Sequence, residues 1–408
     1  MQMQGCGMMA SKTFCPLPWK HLATHPHGRL SLCCEADTTM KTAMASDFGF
    51  NRTLQNTQYN YDSIMNSESF RNVRLQMLKG EYPQECKRCW NSETVGNKSK
   101  RIIELERHNF TEEQAIQCTD ITDGRIKDIS FEFIELRLGN HCNLICRTCN
   151  PISSTRWRKE WQKLNLEAGY NAIPQKEMDW PLDQDFWDSL LAHVDELRFL
   201  YINGGEPLLI DKHGKFLKEL INLDVAKNVT IVYSTNSTVS GEDYEDIWKE
   251  FYKVETMLSI DDIQGRNEYM RYPSKWDNTI KQYEWFKELG ERHDNIHTTI
   301  CQTVSILNIY YLSEFYEYFK DTQISCNFVT NPMYYDPAIL PQDIKDILIN
   351  KYKGEVFYDT IKNYLGIENK GRTLLQFFDV TNRQDVLRKE SYKETFPEFY
   401  NLIKEYDR

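Results

Sequence analysis

From about residue 130 to residue 333 the chain alternates between short runs with every second position apolar and longer runs with apolar positions at helical spacing. Residues 131–139 alternate at Ile134, Leu136 and Leu138, the period of a half-buried strand. Residues 196–205 read as a second strand, followed by 211–223 with helical spacing at Phe216, Leu217 and Leu220. The pattern repeats with strands at 229–236, 254–262, 296–305 and 324–331, each followed by a helical run, the last at 341–353. Strands that alternate with helices predict a parallel sheet with crossover connections. Six such units without a dinucleotide-binding glycine fingerprint predict an α/β fold, an open, partial (β/α)6 barrel over residues 129–335. A region 1–128 precedes it, and a helical C-terminal extension with proline-punctuated loops, 336–408, follows. In such barrels functional residues gather at the carboxyl ends of the strands.

The first strand runs directly into a loop with Cys142, Cys146 and Cys149, three residues separating the first pair and two the second. Three thiolates so close can hold three irons of a four-iron cluster, leaving the fourth iron without a protein ligand. An open position on a metal is what distinguishes a reactive site from a structural one. The alternative is zinc, because Cys86 and Cys89 form a second CxxC beside that of Cys146 and Cys149. Zinc ribbon pairs are usually about 15–20 residues apart. Here a predicted strand lies between the pairs, and Cys142 is superfluous to a two-plus-two site. The spacing also differs from the plant-type ferredoxin pattern.

This cysteine run resembles the cluster motif of radical S-adenosylmethionine enzymes, although Thr148 stands where that family usually has an aromatic residue. The resemblance implies an enzyme that binds a 4Fe-4S cluster and S-adenosylmethionine, cleaves the latter reductively and abstracts a hydrogen atom from substrate. It assigns the amino end of S-adenosylmethionine to Gly204, Gly205 and Glu206, in the NGGEP run after the second strand. Asn236 after the third strand, Ser259 after the fourth and Arg271 resemble the family's ribose and carboxylate contacts. Residues 304–308 are candidates for apolar packing on adenine. No residue is singled out as catalytic.

Five cysteines near the amino end, Cys15, Cys33, Cys34, Cys86 and Cys89, resemble the auxiliary-cluster pattern of the SPASM/twitch group. The implied ligands of a second, auxiliary Fe–S cluster are Cys15, Cys33 or Cys34, Cys86 and Cys89, so that 1–128 reads as a twitch-like region. Gly28 suits a hairpin turn between them. His21, His25 and His27 read as exposed loop residues. Cys6, Cys118, Cys301 and Cys326 lack ligand spacing, and the last two read as small core residues in strands. Tyr283, Trp285 and Phe286 read as core.

Composition narrows the partners. A formal net charge of −11 disfavours nucleic acid. No apolar run approaches the ~20 residues of a membrane span. The first residues lack a basic stretch followed by an apolar one, so no signal peptide is expected. Twelve cysteines without such a signal suit a reducing, cytoplasmic setting. The expected partners are a flavodoxin- or ferredoxin-type reductant and either a peptide or a small-molecule substrate. The alternative from another class is a non-catalytic Fe–S or zinc protein, acting in redox sensing or interaction.

Overall fold

The computed structural model describes residues 12–37, 39–47, 50–94, 96–166, 173–367 and 374–407; Cys6 lies outside them. The strands in chain order are β1 (His21–Thr24), β2 (Leu30–Ser31), β3 (Ser46–Asp47), β4 (Phe50–Asn51), β5 (Phe133–Arg137), β6 (Phe199–Asn203), β7 (Thr230–Thr235), β8 (Lys253–Leu258), β9 (Ile296–Val304) and β10 (Ile324–Phe328). One eight-stranded sheet runs in the order β10-β9-β8-β7-β6-β5-β1-β2. The six strands from β5 to β10 are parallel throughout, as the alternating pattern predicts. Helices Asp211–Asn222 and Trp276–Arg292 are among the crossovers.

The alternation assigns the two faces of the sheet. In β8 every second side chain is buried, with Val254, Thr256 and Leu258 on one face. Val254 and Leu258 join Ile134, Leu136, Leu200, Ile231 and Ile300 in one apolar core with Leu217, Trp248 and Phe286 of the crossover segments. The other face is more polar: Arg137 pairs with Glu135 at 3.1 Å, and the hydroxyls of Tyr201 and Ser234 meet at 2.9 Å. Tyr283 and Phe286 are buried, as expected of core residues.

The amino-terminal region is part of the same sheet. β1 pairs in parallel with β5, His21 opposite Phe133 and Ala23 opposite Glu135, and antiparallel with β2. Gly28 takes φ +71 in the hairpin between β1 and β2, where a Cβ would meet the Gln55 Oε1 at 2.3 Å. The expected boundary after residue 128 therefore runs through one continuous apolar core, in which Trp19, Leu22 and Phe70 pack with Ile134 and Leu200. Helix Glu112–Cys118 starts with a reciprocal capping box between Thr111 and Gln114, which satisfies two backbone donors.

Three sequence readings are corrected. His21 is not an exposed loop residue: it is 1% exposed in β1, its ring stacked on Phe133 at 4.3 Å. His25 and His27 are partly buried and not exposed. Cys301 and Cys326 do lie in β9 and β10 but are only partly buried: Cys301 shares the more open face with Ser325, whereas Cys326 pairs with buried Gln302 and packs against the second apolar core.

After β10 the chain forms helices Gln342–Lys351, Tyr358–Leu365, Leu374–Arg388, Tyr392–Thr395 and Pro397–Ile403. They build a second apolar core around Phe377, Tyr392 and Phe399 that also takes in Met270, Val304, Ile306 and Leu307. Residues 304–308, expected to pack on adenine, are all buried there. No helix among the described residues is long and apolar enough to cross a membrane.

Candidate iron–sulfur sites

The cysteine loop leaves β5 at the carboxyl edge of the sheet and is tied down on every side. Asn140 is fully buried, donates to the Pro151 carbonyl at 2.8 Å and accepts from the Gln175 amide at 3.0 Å. The Ser154 hydroxyl donates to the Leu144 carbonyl at 2.6 Å, and the Trp157 indole donates to the Cys146 carbonyl at 3.0 Å. Trp157 and Trp161 pack against Ile145 and Cys149 from below. Backbone donors at Ile145 and Arg147 reach the carbonyls of Tyr272 (2.6 Å) and Met270 (2.8 Å).

Cys142, Cys146 and Cys149 are partly exposed. Burial, the neighbouring Cys146 and, more weakly, Glu206 push the Cys142 thiol up to about 12. Burial followed by the proximity of Cys146 and Cys142 raises Cys149 as well. Cys146 is raised by burial, while Arg271 and Arg388 nearby pull it back. The three thiols thus sense one another's charge, and a metal binding them must displace their protons. Three thiols at this spacing suit a soft, thiolate-rich iron site. Among the described residues, no three His, Cys, Asp or Glu side chains converge on a single-ion position. A cubane does not need that convergence, because its irons occupy separate corners and each takes one thiolate.

The residues expected to bind S-adenosylmethionine lie at strand ends around this loop, and each also makes contacts within the chain. Gly204 and Gly205 have φ +86 and +55. A Cβ on Gly205 would lie 2.3 Å from the His141 carbonyl oxygen, and one on Gly204 2.6 Å from the Leu138 nitrogen. The glycines are required because the end of β6 packs on the cysteine-loop backbone. Glu206 is fully buried; its backbone nitrogen donates to His141 O at 2.7 Å. Its carboxylate accepts from Leu208 N (3.1 Å), Thr235 Oγ1 (2.9 Å) and Asn236 N (2.6 Å). Burial pushes this carboxyl up to about 7, against the pull of those donors and of Arg271.

Asn236 donates to Asn143 Oδ1 at 2.7 Å and approaches the Cys142 sulfur at 3.7 Å. The Ser259 nitrogen donates to Thr235 O at 2.8 Å. Arg271 is held by Asp261 at 2.9 Å, with its Nε buried and unpartnered. Asp261 also accepts from Thr303 N at 2.9 Å, tying the arginine to β9. Burial opposes the charge on Arg271, but the Cys146 sulfur and Asp261 hold its pKa above the usual arginine value. Asp261 was missed in the sequence; its signal was a pair of acids at the end of β8, just ahead of Arg271.

The second set of cysteines lies in the amino-terminal region. Cys15, Cys33, Cys86 and Cys89 line one pocket, closed by Leu17, Met77 and Trp90. Lys100 and Arg101 bring positive charge to its wall. Burial raises the Cys89 thiol, while the Arg101 backbone nitrogen, at the start of helix Lys100–Arg107, pulls it back. Arg101 is itself fixed by Glu93, through Nε at 3.0 Å and Nη2 at 2.6 Å. Cys34 is not in this pocket: its charged neighbours are Glu135, Lys100, Glu35 and Arg137. A groove of about 900 Å³ along Trp19, Phe110, Thr119 and Ile126 is lined by none of these eight cysteines.

Fold and sites together define an α/β protein with three cysteines at the carboxyl edge of a mostly parallel sheet and four more around an amino-terminal pocket. Residues 15–90 match the SPASM family, an iron-sulfur cluster-binding domain, and span all five amino-terminal cysteines discussed here. No curated protein matches the chain. Among solved structures, anSMEcpe with bound AdoMet and Cp18Cys peptide is 19% identical, with a TM-score of 0.35, and the match covers 60% of this chain and 62% of that one. The chain therefore spans about three fifths of that protein's length. Streptococcus suis SuiB is 16% identical, with a TM-score of 0.35, over 86% of this chain and 70% of that one. SuiB bound to precursor peptide SuiA is 15% identical, with a TM-score of 0.35, over 71% and 64%. At this distance the chain's own geometry carries the functional argument.

Proposed function

We propose that the chain is a radical S-adenosylmethionine enzyme with a reactive 4Fe-4S cluster on Cys142, Cys146 and Cys149 and an auxiliary Fe–S cluster on Cys15, Cys33, Cys86 and Cys89. The observation that carries this reading is the three-thiol loop at the carboxyl edge of a parallel sheet, with a SPASM-type region paired to that sheet through β1. Cys142, Cys146 and Cys149 would hold the cluster, which with S-adenosylmethionine would supply reductively initiated radical chemistry for removing a hydrogen atom from substrate. The chain's own residues hold and orient. Asn236 and Asn143 fix the edge of the loop near Cys142. Glu206 offers a carboxylate to an ammonium group, and the unpartnered Nε of Arg271 offers a charged donor to a carboxylate. The Ser259 side chain is available to a hydroxyl. Positioning of this kind is what makes attack on an unactivated carbon selective.

The more polar face of the sheet carries Arg137, Tyr201 and Ser234, all partly exposed, which supports a polar substrate, either a peptide or a small molecule. An external flavodoxin- or ferredoxin-type protein would provide the electron. Cys15, Cys33, Cys86 and Cys89 would hold the auxiliary cluster, which would supply one-electron redox capacity.

The test is anaerobic reconstitution with iron and sulfide, then incubation with S-adenosylmethionine and dithionite. The expected result is 5′-deoxyadenosine, formed slowly even without substrate. Iron and sulfide without any 5′-deoxyadenosine would favour a non-catalytic cluster protein; zinc without sulfide would favour a structural module. A second measurement separates the neighbouring cysteines. Cys33→Ala is expected to lose the auxiliary cluster's absorbance and iron, whereas Cys34→Ala retains both. Equal loss in the two variants would overturn the assignment of Cys33 to the pocket.

A further inference from the structure

We propose that the C-terminal extension positions the cysteine loop through a crossed pair of arginines, and that Arg147 is the positioning residue for the reactive cluster. This rests on the function proposed above and goes beyond it, because nothing so far gives the extension a role in the chemistry.

Arg147 stands between two of the three thiols, and its side chain is fully buried. Its Nη2 donates to Asp385 at 2.6 Å and to Glu390 at 2.8 Å, and its Nη1 donates to Gln384 Oε1 at 3.2 Å. Its Nε donates to the Tyr269 carbonyl at 3.2 Å, and the guanidinium lies 3.6 Å from the centre of the Tyr269 ring. All three nitrogens of the fork are therefore engaged, by acceptors on two separate elements. The acceptors are themselves fixed. Asp385 also accepts from the Tyr269 hydroxyl at 2.7 Å and from Tyr392 N at 2.6 Å. Gln384 also accepts from the Tyr335 hydroxyl at 2.6 Å.

A second arginine runs the opposite way. Arg388, at the end of helix Leu374–Arg388, donates from Nη2 to the Ile145 carbonyl at 2.8 Å and from Nε to Glu160 at 2.8 Å. Its guanidinium lies over the rings of Tyr272 (4.7 Å) and Trp157 (5.2 Å). One arginine reaches from the loop into the extension, and the other from the extension into the loop. They bracket Cys146: Arg147 follows it, and Arg388 grips the residue before it. A planar fork anchored through all three of its nitrogens, as in Arg147, resists rotation in a way a lysine cannot. The backbone carrying Cys146 and Cys149 is thus set from outside the sheet.

Two readouts on full-length protein test this. In metal-free, reduced protein, iodoacetamide labelling followed by mass spectrometry gives a rate for each thiol. Arg147→Met is expected to speed alkylation of Cys146 and Cys149 by on the order of tenfold, through easier local opening, with Cys15 and Cys89 unchanged. Arg147→Lys should fall between. In reconstituted protein, Arg147→Met should alter the low-temperature electron paramagnetic resonance signal of the reactive cluster and its response to S-adenosylmethionine, leaving the auxiliary signal intact. If Arg147→Met fails to fold, Asp385→Asn removes one charged acceptor while keeping the side-chain shape, and the same increase at Cys146 is expected. Wild-type alkylation rates in a folded variant overturn the proposal whether or not iron is bound. A wild-type protein without a second cluster instead overturns the functional reading and leaves the labelling result to decide the clasp.

Discussion

Replacing Cys142, Cys146 and Cys149 together with alanine is expected to abolish 5′-deoxyadenosine formation and to halve the iron, from about eight atoms per chain to about four. The expectation depends on the two cysteine sets being independent. Cys15, Cys33, Cys86 and Cys89 meet in a pocket closed by Met77 and Trp90. Cys142, Cys146 and Cys149 lie beyond β5, on a loop held by Asn140, Ser154 and Trp157. None of those holding groups is a cysteine, so the loop keeps its framework when the thiols are removed. Burial disfavours the charged form of each thiol, and their mutual proximity adds to this for Cys142 and Cys149. Trading the thiols for methyl groups in metal-free protein therefore leaves no charge unpaired. Circular dichroism and thermal unfolding of the metal-free variant should match wild type closely. Iron and sulfide assays with product chromatography then give the result. A variant that keeps all its iron would show that these cysteines are not ligands.

Some of this arrangement was legible in the chain and some was not, for physical reasons. The parallel core was readable because Ile134, Leu136 and Leu138, like Val254, Thr256 and Leu258, bury alternate positions on one face. The loop and the NGGEP run were readable because few other structures need those residues at strand ends. β1 was not. Four residues, all buried, show no alternation, and their partner β5 lies more than a hundred positions away. His21 looked like a loop residue for that reason. The Arg147 clasp was invisible on similar grounds, since its partner Asp385 is 238 positions distant and ion pairing leaves no periodic trace. The glycines of NGGEP signalled close approach correctly, but the approaching groups are chain backbone, Leu138 N at Gly204 and the His141 carbonyl at Gly205. Glu206 signalled binding, and the structure adds a second duty to it.

That second duty predicts a large effect on stability. The Glu206 carboxylate joins the ends of β6 and β7 by accepting from two backbone nitrogens and the Thr235 hydroxyl, all in a fully buried position. Glu206→Ala strands those donors, and at about 1–3 kcal/mol for each buried group left unsatisfied, with partial relaxation, a loss of about 2–4 kcal/mol is expected. Urea unfolding of the metal-free protein measures it. The pH dependence carries an independent sign. Burial raises the folded pKa of Glu206 from 4.5 to about 7, so between these values the folded chain holds a proton that the unfolded chain has lost. This contribution is complete below pH 4.5 and is lost as pH rises through about 7, a fall of roughly 3 kcal/mol at most. Asp262, also raised to about 7 by burial, acts in the same direction, so Glu206→Gln should reduce the slope without abolishing it. An unchanged slope in Glu206→Gln would show that this carboxyl does not titrate there. A ligand ammonium beside Glu206 would favour its ionised form, so S-adenosylmethionine should bind more tightly to wild type as pH rises from 6 to 8. The glutamine variant should lose that gain, which ties the buried carboxylate to the cofactor by a measurement independent of turnover.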